Sequence, residues 1–136
     1  MPRPMVIADL TIWTQLLRGS STGLQSLFTD LQQRGGVTAP GAIFAHLLTE
    51  ADDDRAAERI RVWAAETPLI DEPPLAWVSA GDLWVHLQNH GVRVALLDAY
   101  LIALCLREQW QLWSYNPQFE AAARVAPLER YQPTGL

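Results

Sequence analysis

Four consecutive apolar residues, Met5-Val6-Ile7-Ala8, two of them β-branched, run straight into Asp9. An uninterrupted run of this length suits a strand buried on both faces, which requires a parallel sheet covered by helices. The rest of the chain supplies such helices and further short strands. Thr11 to Arg18 (TIWTQLLR) reads as a helix stopped by Gly19. Ser20, Ser21 and Thr22 are N-cap candidates for a second helix, whose Leu24, Leu27, Phe28 and Leu31 recur at i, i+3, i+4 and i+7. Gly35-Gly36 closes it, and Val37-Thr38 is a minimal strand. Pro40 opens a helix that runs to Glu50. Asp52-Asp53-Asp54 suits the positive end of the next helix, which carries Ile60 and Trp63 on one face. Leu69-Ile70 reads as a strand and Pro73-Pro74 as a loop. Leu75 to Asn89 and Leu96 to Arg107 read as helices, Gln111 to Trp113 as a strand, Phe119 to Ala123 as a short helix, and Val125 to Leu128 as a last strand. Strands alternating with helices imply an α/β fold with a short central parallel sheet flanked by helices. Without an internal repeat or a long linker, residues 1–136 are expected to form a single domain.

An apolar share of 49% with 18% charged residues is that of a globular chain. The formal net charge of -5 gives no global attraction for nucleic acid, so contact with RNA needs local cations. Arg18, Arg34, Arg55, Arg59 and Arg61 are candidates, although Arg55, Glu58 and Arg59 equally describe a salt-bridged solvent face. Cys105 is the one cysteine. It excludes an internal disulfide and a Cys-based zinc site, and it fits a reducing cytoplasm. The run before Asp9 is too short for a secretory signal, and Val94 to Leu106 is too short to cross a membrane.

Two acids stand apart from the rest. Asp9 ends a buried strand, the edge at which open α/β sheets bind ligands. It is equally placed to cap the following helix. Asp98 is the charged residue within VALLDAYLIALCL, where an unpaired carboxylate is costly. An arginine partner or a bound cation would relieve that cost, and two such acids together favour one shared cation site.

The opening VIADLTIWTQLLRG resembles the start of PIN-domain nucleases, especially the VapC-type toxins of bacterial toxin–antitoxin pairs. Asp9, Thr11 and Leu16-Leu17-Arg18-Gly19 carry the likeness. The middle block VTAPGAIFAHLLTE is similar to that family's short strand and acid-bearing helix. GVRVALLDAYLIALCLREQWQLWSYNPQFEAAARV resembles its later half. The resemblance implies a PIN-like three-layer fold in which about four carboxylates hold Mg²⁺ or Mn²⁺ at the carboxyl edge of the sheet. It implies a metal-dependent endoribonuclease, a cognate antitoxin and a homodimer. Asp9 and Asp98 match as catalytic and metal-binding residues. The remaining acidic positions fall on His46, Asn116 and Gln118. Thr11, His46, Asn116 and Gln118 are then cleft-lining or supporting residues, and Glu50, one turn beyond His46, is a further candidate. Two carboxylates with waters can still hold Mg²⁺, but weakly.

His86 and His90 have i, i+4 spacing but lack the adjacent Glu and third ligand of a zinc protease, so they read as ordinary surface or packing histidines. Cys105 lies in an apolar helix and reads as inert. Ser20 and Ser21 lack a nucleophile-elbow context. Trp63, Trp77 and Trp84 suit a core or a dimer face. Two functions follow: a VapC-like ribonuclease of weak activity, or a PIN fold without catalysis that binds protein or RNA.

Overall fold

The computed structural model describes residues 5–19 and 21–133; Ser20, one of the N-cap candidates, lies outside the described residues. The apolar run becomes β1 (Val6–Ala8), with every residue buried. Successive side chains on a strand point to opposite faces, so complete burial means that both faces are covered. The chain continues through α1 (Leu10–Arg18) and α2 (Thr22–Gln33) to β2 (Val37–Thr38), then α3 (Gly41–Thr49), α4 (Asp54–Glu66), α5 (Ala76–Asn89) and α6 (Leu96–Glu108). It ends with β3 (Gln111–Trp113), α7 (Gln118–Ala123) and β4 (Glu129–Arg130). The sheet has four parallel strands in the order β2-β1-β3-β4, flanked by helices. Val6 is in register with Val37 on one side and Gln111 on the other.

Helix boundaries follow local chemistry. Gly19 ends α1 in the left-handed conformation at φ 65°, where glycine meets no Cβ penalty. The Ser21 hydroxyl accepts the Leu24 N–H at the start of α2, and Asp53 accepts the Ala56 N–H at the start of α4. Leu24, Phe28 and Leu31 form the buried stripe of α2. They face a core centred on Trp13, whose ring meets Phe28 at 4.8 Å, Phe44 at 5.1 Å and Trp63 at 5.3 Å between centroids. The Trp13 indole N–H donates to the Ala8 carbonyl at 3.0 Å, which ties α1 to the end of β1. Thus Trp63 is a core residue. Trp84 fastens the α5–α6 connection by donating to the Val94 carbonyl at 2.8 Å. Trp77, partly exposed, stacks on buried Tyr100 at 3.8 Å.

Two strand expectations need correction. Leu69-Ile70 forms only an isolated parallel bridge to Ala39, with the Ile70 N–H donating to the Ala39 carbonyl at 3.3 Å. Val125 to Leu128 is not a strand. Val125 and Ala126 turn back onto the Ala122 carbonyl at the end of α7, and pairing begins only at Glu129. An edge strand is selected by backbone pairing rather than by an apolar run. Here the Gln111 amide also donates to Glu129 at 2.9 Å. No described helix is long and apolar enough to cross a membrane.

Candidate functional site

From β1 the chain moves outward to β2, then crosses back to β3 on the opposite side. The β1/β3 pair is therefore the topological switch point, and the carboxyl ends of these strands open the crevice where such sheets bind ligands. Asp9 follows β1 and Ser114 follows β3. The Asp9 N–H donates to the Trp113 carbonyl at 3.0 Å, which locks the two strand ends together.

Asp9 is 1% exposed, and hydrogen bonds surround its carboxylate. One oxygen accepts the Thr11 N–H at 2.9 Å, the Ile12 N–H at 3.2 Å and the Thr11 hydroxyl at 2.5 Å. The other accepts the Ser114 hydroxyl at 2.5 Å. Capping and crevice roles thus coexist in one side chain: Asp9 is the N-cap of α1 as well as the buried acid at the switch point. Burial pushes its pKa above the ordinary carboxylate value, and the Ser114 and Thr11 hydroxyls and the Ile12 and Thr11 N–H groups oppose that rise.

Asp98 lies in the first turn of α6, which begins at Leu96 as the sequence indicates. It is half-buried. Its carboxylate takes a hydrogen bond from the backbone of Ala95, the N-cap residue, in the manner of a capping box. The positive end of the helix and this bond lessen the cost read from the apolar sequence. Among the described residues no arginine pairs with it, so the salt-bridge alternative is not realised there. Desolvation first, then the charge of Asp9, raise its pKa to about 6, against the pull of Ala95 and of the His46 charge. Asp98 thus feels the charge of Asp9.

The native state holds the Asp98 proton more tightly than the unfolded chain. This contribution is fully present below the ordinary value of 3.8 and is lost as pH rises through about 6. Asp98→Asn is expected to raise stability at neutral pH by on the order of 1 kcal/mol, after discounting for solvent screening, and to flatten its slope across this window. Urea denaturation at acid and neutral pH measures the effect. Equal pH slopes for the two proteins would refute it.

The other expected site residues take different places. Thr11 is central: its hydroxyl donates to Asp9 and accepts the Tyr115 N–H at 2.9 Å. His46 in α3 and Glu50, which caps its end, lie 3.6 Å apart, and both are exposed. Glu50 also lines a cleft of about 480 Å³ with Thr14, Arg18, Asp52 and Asp53; neither Asp9 nor Asp98 lines it. Asn116 serves the turn itself, with its N–H donating to the Ser114 hydroxyl at 2.8 Å and its side-chain oxygen accepting the Gln118 N–H at 3.0 Å. Gln118 is exposed at the start of α7. Among the described residues, no three His, Cys, Asp or Glu side chains are gathered closely enough to hold a metal ion. His86 and His90 are exposed, and Cys105 is buried with its thiol pushed up to about 12 by desolvation.

Ser114 was not among the expected site residues. The signal for it is positional: it directly follows a strand, as Asp9 does.

No protein-family model and no curated sequence matches this chain closely. Solved structures do match it in fold. VapBC2 from Rickettsia felis bound to a promoter DNA fragment aligns with a TM-score of 0.77 at 13% identity, covering 93% of this chain and 97% of that one. DNA-bound VapBC from Salmonella typhimurium gives 0.74 at 13% identity, covering 95% and 98%. VapC20 from Mycobacterium tuberculosis, a toxin that cleaves the sarcin–ricin loop, gives 0.67 at 14% identity, covering 86% and 94%. With its four parallel strands and flanking helices, the chain has the PIN-like α/β fold of VapC proteins.

Proposed function

We propose that this protein is a VapC-like endoribonuclease that hydrolyses RNA phosphodiesters with a divalent metal ion at Asp9 and Asp98. The observation that supports this reading is Asp9 at the carboxyl end of β1, beside β3, with its charge felt by Asp98 in the first turn of α6. Two acids so placed repel each other, and a cation would relieve that repulsion. The donor chemistry suits Mg²⁺ or Mn²⁺, which take oxygen ligands and accept one or two carboxylates with waters and substrate phosphate. With only two such acids, the affinity is expected to be weak. The bound ion would supply a more acidic water and charge stabilisation at phosphorus. The Thr11 and Ser114 hydroxyls fix the Asp9 carboxylate, which with Asp98 would hold the ion, while Asn116 keeps the turn after β3 in shape. His46, Glu50 and Gln118 would line the approach.

The VapBC neighbours are toxin–antitoxin assemblies, which supports a cognate antitoxin as partner and a cytoplasmic setting. The apolar side chains left exposed on α5, Val78 and Val85, are consistent with a homodimer. The proposal treats residues 1–136 as one PIN-like domain.

Incubation of purified protein with structured RNA and Mn²⁺ tests the reading. Asp9→Asn is expected to lower cleavage roughly 100-fold, since it halves the negative charge offered to the cation. Equal cleavage by wild type and variant would exclude this site. The alternative, a PIN fold that binds without cleaving, is favoured by the missing third ligand among the described residues. Calorimetric titration with Mn²⁺ separates the two: saturable heat lost in Asp98→Ala supports the enzyme, and no saturable heat supports the binding module.

A further inference from the structure

Tyr115 stands directly beside the crevice, in the turn after β3, and its place is fixed from both sides. Its own N–H donates to the Thr11 hydroxyl at 2.9 Å, and the neighbouring Asn116 N–H donates to the Ser114 hydroxyl at 2.8 Å. Both of those hydroxyls hold Asp9. The position of Tyr115 relative to Asp9 is thus set by the same hydrogen bonds that orient the carboxylate. Yet the residue is 49% exposed, while the other aromatics at this end of the core, Trp13 and Trp113, are buried. The backbone is anchored while the ring is left half exposed, and such a ring is available to a ligand.

Charge explains what such a ring would contribute. The chain carries a formal net charge of -5, and two carboxylates occupy the crevice, so phosphate contacts alone give little attraction. Stacking of a nucleobase on an aromatic face needs no positive charge and tolerates any base. It does require the base to be out of a duplex stack, as in single strands and loops.

We infer that Tyr115 is the stacking platform for a base next to the cleaved phosphate, in an unpaired segment of the RNA. This rests on the ribonuclease reading of the Asp9–Asp98 site and assigns Tyr115 a positioning role toward that substrate. Tyr115 acts by holding that base, so removing the ring lowers affinity more than it lowers turnover of bound RNA.

Fluorescence anisotropy with a short labelled oligoadenylate tests the inference, with Asp9→Asn as the background so that the RNA survives. Adding Tyr115→Ala is expected to weaken binding roughly 5- to 100-fold, whereas Tyr115→Phe keeps it, because stacking uses the ring and not the hydroxyl. Thermal melts of the variants separate loss of stacking from loss of fold. In the Asp9-containing protein, Tyr115→Ala raises KM with a smaller change in kcat. Unchanged affinity in a folded Tyr115→Ala variant would overturn the platform and leave the metal site standing. No binding of oligoadenylate by the Asp9→Asn background would overturn the platform and the RNA reading together.

Discussion

Trp13→Ala lowers the free energy of unfolding by about 3–5 kcal/mol, a shift of roughly 10–20 °C in the thermal midpoint. Trp13 is fully buried and meets three other aromatic rings, so truncation leaves a cavity bordered by α2, α3 and α4. Those rings cannot all collapse into the gap, since each is held by its own helix. Trp13→Phe separates volume from hydrogen bonding: it retains a ring but removes the indole N–H that reaches the Ala8 carbonyl. A loss of about 1–3 kcal/mol is expected for that variant. Because Ala8 immediately precedes Asp9, the change also loosens the strand end that carries the site. Chemical denaturation of the three proteins checks the order. A Trp13→Ala protein as stable as wild type would show that the core is not centred there.

The second large effect concerns a hydroxyl. Ser114→Ala removes the donor to one Asp9 oxygen and is expected to cost about 1.5–3 kcal/mol at neutral pH, the range for hydrogen bonds to charged groups. The loss depends on pH. The Ser114 bond lowers the Asp9 pKa against burial, so its removal raises that pKa further. A raised carboxyl pKa gives stability at low pH that is lost as pH rises through the folded value. The variant should therefore approach wild type in acid and fall away from it at neutral pH, while Ser114→Thr restores most of the difference. Under the proposed ribonuclease reading, the rising limb of cleavage by Ser114→Ala shifts to higher pH, because Asp9 deprotonates later. A pH-independent cost would mean that the hydroxyl acts by packing alone.

The contrast between Asp9 and Ser114 shows what was legible in the sequence. Asp9 announces itself, because a charge ends an apolar run and its cap role depends on neighbours within three residues. Ser114 does not: a serine after a short strand is ordinary until the strand is known to pair with β1. Asp98 is visible as a charge among apolar residues, in the first turn of a helix whose start at Leu96 the sequence also marks. What the apolar stretch does not show is the Ala95 backbone that partners its carboxylate, since a backbone hydrogen bond leaves no mark in hydropathy. The face of α2 was legible because burial on one side imposes a 3.6-residue period. β4 was not, because its pairing is set by the β3 backbone and by Gln111, with no apolar run to advertise it. His46 and Glu50 came out side by side at the end of α3, as their spacing required, but in solvent.

The hydrogen bond between Asp9 and Ser114 spans 105 residues of chain. A nascent polypeptide can form β1, α1 and α2 and still lack β3, the neighbour that completes the crevice. During synthesis the N-terminal elements emerge seconds before the strand they must pair with. An incomplete chain therefore carries Asp9 without its second hydroxyl and without the turn that bears Tyr115. The crevice is thus completed late, by the closing of the sheet, and a chain cut before β3 lacks the hydroxyl that holds the second Asp9 oxygen.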